Sequence, residues 1–203
     1  MRKSHPKHSG VVRIIGGQWK GRKLTVANVP HLRPTADRVR ETLFNWLQWE
    51  IPQARCLDLF AGSGSLGFEA LSRGASEVVM VEKHPQAVKQ LQAIQQQLAG
   101  QLSATQHLHI FYQDAYHYLQ SDQPLHQGDL TGFDLIFLDP PFRHQHLEKL
   151  LAMIQQQQLL RPHGLIYLEY EQEQALDFSS WSWVIHKQTH AGQVKACLLT
   201  QQN

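Results

Sequence analysis

The sequence predicts an α/β fold with a Rossmann-like, mostly parallel sheet, and three observations carry that expectation. From Arg55 onward, short apolar strands alternate with helix-like segments, which is the pattern of a parallel sheet covered on both faces. The first of these strands runs through Leu57-Asp58-Leu59-Phe60-Ala61-Gly62-Ser63-Gly64-Ser65-Leu66-Gly67 into a helix. A strand, a glycine-rich turn and a helix in that order form the backbone shape that holds a nucleotide-like ligand. The third observation is a later apolar strand, Asp134-Leu135-Ile136-Phe137-Leu138, that ends in Asp139-Pro140-Pro141-Phe142.

The elements follow in order. Residues 1–10 are Lys, His, Ser, Pro and Gly with little to bury, and are expected to be a disordered basic tail. Residues 11–15 are strand-like, Gly16-Gly17 and Gly21 punctuate, and residues 24–26 return as a hairpin partner. Thr35 is a credible N-cap for a helix carrying Val39, Leu43, Phe44, Trp46 and Leu47, which Pro52 closes. Residues 11–50 are therefore an appendage, and residues 51–203 the main domain. Its strands are expected at 56–60, 78–81, 108–112, 133–138 and 165–168, and its helices at 66–73, 85–98, 115–119 and 147–160. Residues 181–187 and 194–199, joined around Ala191-Gly192, add an antiparallel hairpin. The glutamine runs 95–97 and 155–158 fall on polar helix faces.

Composition narrows the classes. With 203 residues and 42% hydrophobic content, the chain can bury one sizeable core. No apolar run is long enough to span a membrane, and the basic N-terminus has no apolar stretch after it, so a cytoplasmic protein is expected. Cys56 and Cys197 lie in apolar segments and are expected as buried thiols, not a disulfide. Monomer is the default state. The net charge of +2 hides an asymmetry: residues 1–40 hold ten basic side chains against one acid, Asp37, leaving +9 there and −7 elsewhere. A basic arm on an acidic body points to a polyanion, most plausibly nucleic acid; the plainer reading is a solvated tail.

Gly62-x-Gly64-x-x-Gly67 lets the backbone approach a ligand and the helix pack on a strand. Glu82 ends the second strand, 20 residues after Gly62, where an acid can accept from ribose hydroxyls or simply sit exposed. Asp58, inside the first strand, would repel a pyrophosphate and suits a ligand with an ammonium and a sulfonium, such as S-adenosylmethionine. Asp114, after the third strand, is placed either for an adenine amino group or as the N-cap of the next helix.

Asp139-Pro140-Pro141-Phe142 ends a strand at the edge where open α/β sheets bind ligands. The prolines fix the backbone and remove two amide donors, so carbonyls can face a ligand. Phe142 offers a face for stacking a planar base. Amines on bases are poor nucleophiles because the lone pair is delocalised. A carboxylate and a carbonyl accepting both N–H bonds free that lone pair, and the carboxylate stabilises the charge that develops on nitrogen. The plain alternative is a strand-terminating Asp-Pro turn.

With these motifs the chain resembles class I S-adenosylmethionine-dependent methyltransferases, and more narrowly the RsmD family of bacterial 16S rRNA guanine-N2 methyltransferases. The likeness runs from Val12 to about Leu199. It rests on Arg13-Ile14-Ile15-Gly16-Gly17-Gln18-Trp19-Lys20-Gly21-Arg22, on Leu32-Arg33-Pro34-Thr35-x-x-Arg38-Val39-Arg40-Glu41-Thr42-Leu43-Phe44-Asn45, on Asp58-x-Phe60-Ala61-Gly62-Ser63-Gly64 and on the Asp139 tetrad. The N-terminal stretch carries the specificity, because methyltransferases in general do not share it. The resemblance implies a seven-stranded sheet and methylation of one guanine amine in 16S rRNA, free or in the assembling small subunit. It implies that Asp58, Phe60, Ala61, Gly62, Gly64 and Glu82 hold the methyl donor and Asp114 its adenine. Asp139, Pro140, Pro141 and Phe142 would hold the target guanine, and Arg33, Thr35 and Arg38 would lie over the mouth. Arg13, Lys20, Arg22 and Lys23 join Arg33 and Arg38 as expected RNA contacts.

Rival readings are weaker. A DNA adenine-N6 or cytosine-N4 methyltransferase can use a similar tetrad but normally carries a separate recognition region. An NAD-dependent oxidoreductase is disfavoured by Asp58, and a non-catalytic RNA-binding protein has no need of the tetrad. No metal is expected: His107-x-His109 and His144-x-His146 lack partner ligands at suitable spacing.

Overall fold

A computed structural model describes residues 10–26, 37–121, 132–141, 147–174, 176, 178 and 182–202. The expected N-cap Thr35, the RNA contact Arg33 and the stacking residue Phe142 lie outside these residues.

The chain opens with a hairpin of β1 (Gly10–Arg13) and β2 (Lys23–Val26), followed by α1 (Asp37–Trp46). Then β3 (Arg55–Asp58), α2 (Ser65–Ser72), β4 (Glu77–Glu82), α3 (Pro85–Leu98), β5 (His107–Tyr112), α4 (Ala115–Gln120), β6 (Phe133–Leu138) and α5 (Leu147–Gln156) alternate. The chain closes with β7 (Leu160–Glu171), β8 (Trp183–Ala191) and β9 (Val194–Gln201). Seven strands form one sheet in the order β5-β4-β3-β6-β7-β9-β8. The first five in that order are parallel. β9 is antiparallel to both β7 and β8.

Because successive strand residues point to opposite faces, the fully buried strands feed two cores. Cys56, Leu135, Phe137 and Tyr167 pack with α1, α2, α3 and the hairpin residues Ile14, Trp19 and Leu24. Leu57, Ile136, Leu138 and Leu168 pack with α4 and α5. Cys56 and Cys197 are buried free thiols, as expected, and burial pushes both upward in pKa.

Two boundaries depart from the sequence reading. The helix expected over 147–160 ends at Gln156, and the strand expected over 165–168 runs from Leu160 to Glu171. Leu159 and Leu160 continue the apolar spacing of α5, but strand pairing claims them. The Leu159 carbonyl accepts from Phe133 N at 2.7 Å, and Leu160 pairs with Phe133. The register then shifts before Leu135, so Pro162 and Gly164 sit in an irregularity within β7 instead of ahead of it. Asp134 anchors that stretch, accepting from Arg55 N at 2.8 Å and from Arg161 Nη1 at 2.8 Å. The second departure is the closing hairpin. β8 extends to Ala191 opposite Val194, so its turn is Gly192-Gln193, one residue later than expected.

Candidate active site

The strand order reverses at β3, which has β4 on one side and β6 on the other. The carboxyl edge beside that switch point is where ligands bind in open sheets. Strand alternation places three acids on one face of this edge. Asp58 stands two residues beyond Cys56, Glu82 two beyond Met80, and Asp139 two beyond Phe137, and all three of those predecessors belong to the core shared with α1, α2 and α3.

The glycine turn leaves β3 through Leu59-Phe60-Ala61, with Ala61 buried and Phe60 half-buried. Gly62 and Gly64 adopt left-handed φ of 52° and 76°. Glu82 straps this turn to the end of β4: Oε2 accepts from Gly62 N at 2.8 Å and Oε1 from His84 N at 2.7 Å. The sequence pointed to ligand hydroxyls for Glu82, and the structure adds this backbone role. Each oxygen retains a further lone pair. Gly67 sits under β4, where a Cβ would come within 2.4 Å of the Met80 methyl. The helix therefore packs as expected, against β4.

Asp58 ends β3 deep in the fold. It is 1% exposed, and neither carboxylate oxygen has a hydrogen-bond partner among the described residues. Burial, then the nearby Asp139 charge, pushes its pKa up to about 7; the amides of Phe60 and Gly67 oppose the rise without closing a hydrogen bond. Asp139 follows β6, half-buried, with Pro140 half-buried and Pro141 exposed.

Asp114 resolves toward the cap reading. Its Oδ1 accepts from Tyr116 N at 2.9 Å, starting α4. Its Oδ2 lies 3.8 Å from Lys83 Nζ.

The expected RNA contacts divide. Arg13, Lys20, Lys23 and Arg38 are exposed, and Arg13 and Lys23 sit opposite each other in the hairpin. Arg22 is half-buried and donates to Gln101 Oε1 at 2.5 Å. Arg40, part of the basic arm by charge count, is 1% exposed and donates to the Arg13 carbonyl at 2.9 Å, so it is a structural cation.

Sequence reasoning missed two sets of residues. Glu69 is fully buried in α2 and accepts from Ile15 N at 2.7 Å, Gly16 N at 2.8 Å and Arg73 Nε at 2.6 Å. Ser72 Oγ donates to Gly16 O at 2.6 Å and accepts from Trp19 N at 3.0 Å. These contacts fix the hairpin onto the helix that follows the glycine turn. No local signal marks them, because their hairpin partners lie more than 50 positions away. The other set is Tyr167 and Glu169 on β7. Glu169 lies two residues before the end of that strand, two beyond Tyr167 and so on the same face; ending the strand at Leu168 hid it.

Comparison with known proteins agrees with this architecture. The sequence model of the family described as "Conserved hypothetical protein 95" matches residues 12–200. The ribosomal RNA small subunit methyltransferase D of Escherichia coli is 42% identical over 196 residues, covering 96% of this chain and 92% of the relative. Its counterpart in Haemophilus influenzae is 42% identical over 187 residues, 92% of each chain. A solved Escherichia coli structure superposes with TM-score 0.77 at 40% identity, covering 95% of this chain and 99% of its own. A T. thermophilus 16S rRNA N2 G1207 methyltransferase, solved with AdoMet and guanosine, shares the fold at TM-score 0.65 and 21% identity, covering 97% of this chain and 50% of its own. By this match along nearly its whole length, the chain belongs to the ribosomal RNA small subunit methyltransferase D family.

Proposed function

We propose that this protein transfers a methyl group from S-adenosylmethionine to the exocyclic N2 amine of one guanine in 16S rRNA. The observation that carries this reading is Asp58, a buried carboxylate with no hydrogen-bond partner on either oxygen among the described residues, placed at the switch point on the face of Asp139. A buried carboxylate of this kind favours a cationic ligand. The donor's ammonium and sulfonium fit that demand, and a pyrophosphate does not. S-adenosylmethionine supplies an electrophilic methyl group on its sulfonium.

The chain's own residues then have distinct tasks. Asp58 faces the cationic end of the donor. Glu82 accepts from the ribose hydroxyls with the lone pairs that Gly62 and His84 leave. Asp114 accepts from the adenine amine through the oxygen that does not cap α4. Gly62 and Gly64 let the backbone approach, and Phe60 and Ala61 wall the turn. Asp139 and the Pro140 carbonyl accept the two N–H bonds of the target amine. The Asp139 charge stabilises the positive charge that grows on nitrogen during attack. Pro141 stiffens the loop, and Phe142 stacks on the base. Arg13, Lys20, Lys23, Arg33 and Arg38, with a lesser part for Arg22, hold RNA phosphates. The substrate is 16S rRNA, free or in the assembling small subunit, and the enzyme acts on it as a cytoplasmic monomer. A DNA amine as target is the disfavoured alternative, since only the hairpin and the strand-end loops remain to read a duplex.

Asp139→Ala tests the assignment. It should bind S-adenosylmethionine with nearly wild-type affinity by calorimetry while kcat falls about 10²–10³-fold. Transfer at the wild-type rate would refute the role of Asp139.

A further inference from the structure

Glu169 is an acid of the catalytic face that methyl transfer leaves without a task. β6 and β7 run parallel, with Leu138 opposite Leu168. Asp139 and Glu169 each come next after those paired positions, and both lie close enough to Tyr167 for their charges to act on its phenol. Glu169 is 9% exposed, at the boundary between core and cleft. Beneath it, fully buried Tyr167 donates its hydroxyl to Glu169 Oε1. Phe137 holds the Tyr167 ring edge-on at 6.3 Å and 74°. Burial, with the Glu169 charge next, raises the Tyr167 pKa well above its ordinary value, so the phenol stays a donor. The carboxylate is thereby oriented. A carboxylate offers about four acceptor positions, of which the tyrosine occupies one.

A base whose amine is held by Asp139 presents a ring nitrogen to the neighbouring strand. In guanine the ring nitrogen beside the amine on the Watson–Crick edge is N1–H, a donor. In adenine and cytosine, the ring nitrogen beside the amine on the Watson–Crick edge is an acceptor. A carboxylate at that position satisfies the first and repels the other two. We propose that Glu169 accepts the N1–H of the target guanine and thereby restricts the site to guanine, with Tyr167 as its positioning residue. This inference rests on the guanine-N2 reading above.

The test compares small-subunit particles whose target nucleotide is guanine or, by RNA ligation, 2-aminopurine. The two bases share the C2 amine, but in 2-aminopurine N1 carries a lone pair in place of the proton and C6 a hydrogen in place of the oxygen, so the change of preference in the Glu169 variant is what reads the N1 contact. The wild type should prefer guanine by about 10²-fold or more in kcat/KM. Glu169→Gln can turn its amide to donate to N1, so the preference should shrink at least about tenfold, and Tyr167→Phe should shrink it less. A variant that merely loses stability lowers both rates by one factor and leaves the ratio alone. An unchanged ratio in Glu169→Gln, with guanine still methylated by the wild type, overturns the inference but not the guanine reading. A wild type that methylates neither base overturns both.

Discussion

With Asp58 facing the donor as proposed, ligand binding becomes linked to pH at the scale of one residue. Its folded pKa of about 7 lies above the ordinary 3.8, so the folded chain binds the proton more tightly than the unfolded chain does. The charged carboxylate therefore costs the free fold stability. That cost is absent below about pH 4, grows as the pH rises toward 7 and is complete above it, on the order of a few kcal/mol. Asp58→Asn should raise the melting temperature of the ligand-free protein relative to wild type at pH 8, and raise it far less at pH 4.5. A cationic donor binds the deprotonated form. Wild-type affinity for S-adenosylmethionine should therefore weaken about tenfold per pH unit below 7, and the same asparagine variant should lose that dependence along with most of its affinity. Calorimetry at pH 6 and 8 distinguishes this from a pH-independent site. Asp58, Glu82 and Asp139 were legible in the sequence because each ends an apolar strand. Glu69 and Arg40 were not, because a buried charge is recognisable only by partners that folding brings to it.

The hairpin is the element whose placement most affects function. Gly17 has φ +74°, and a Cβ there would come within 1.8 Å of the Ser72 carbonyl oxygen. Gly17→Ala should therefore lift the hairpin from α2, lowering stability by about 2 kcal/mol or more in urea unfolding and exposing residues 10–26 to protease before the sheet. Resistance equal to wild type would show that the docking is not rigid. The sequence marked Gly16-Gly17 as punctuation for a turn; their closeness to Arg73 and Ser72 is a tertiary fact. The same distinction explains α5 and β7. Periodicity located both elements, but the boundary between them depended on Phe133 pairing with Leu160, a contact that no local pattern encodes. The strand–turn–helix units from β3 to β6 were legible almost to the residue, because buried parallel strands and short helices leave opposite periodicities.

The molecule as a whole is a basic arm on an acidic sheet domain. α1 packs Phe44 against Phe137, and its C-terminal turn leads through Ile51 and Ala54 to the start of β3. Replacing exposed Arg13, Lys20 and Lys23 by Ala should flatten the slope of log K against log salt for RNA binding by about 2, at about 0.7 per phosphate contact. Arg22→Ala, whose side chain already serves Gln101, should change the slope less. Equal slopes for the triple variant and wild type would move the RNA surface elsewhere. The central claim, that donor and guanine amine meet between Asp58 and Asp139, is tested most directly by where the methyl group lands. Small-subunit particles lacking the modification, incubated with the purified protein and isotope-labelled S-adenosylmethionine, should yield on nucleoside analysis labelled N2-methylguanosine from a single position. Label in methyladenosine or methylcytidine, or no label from a protein that still binds the donor, would contradict the account.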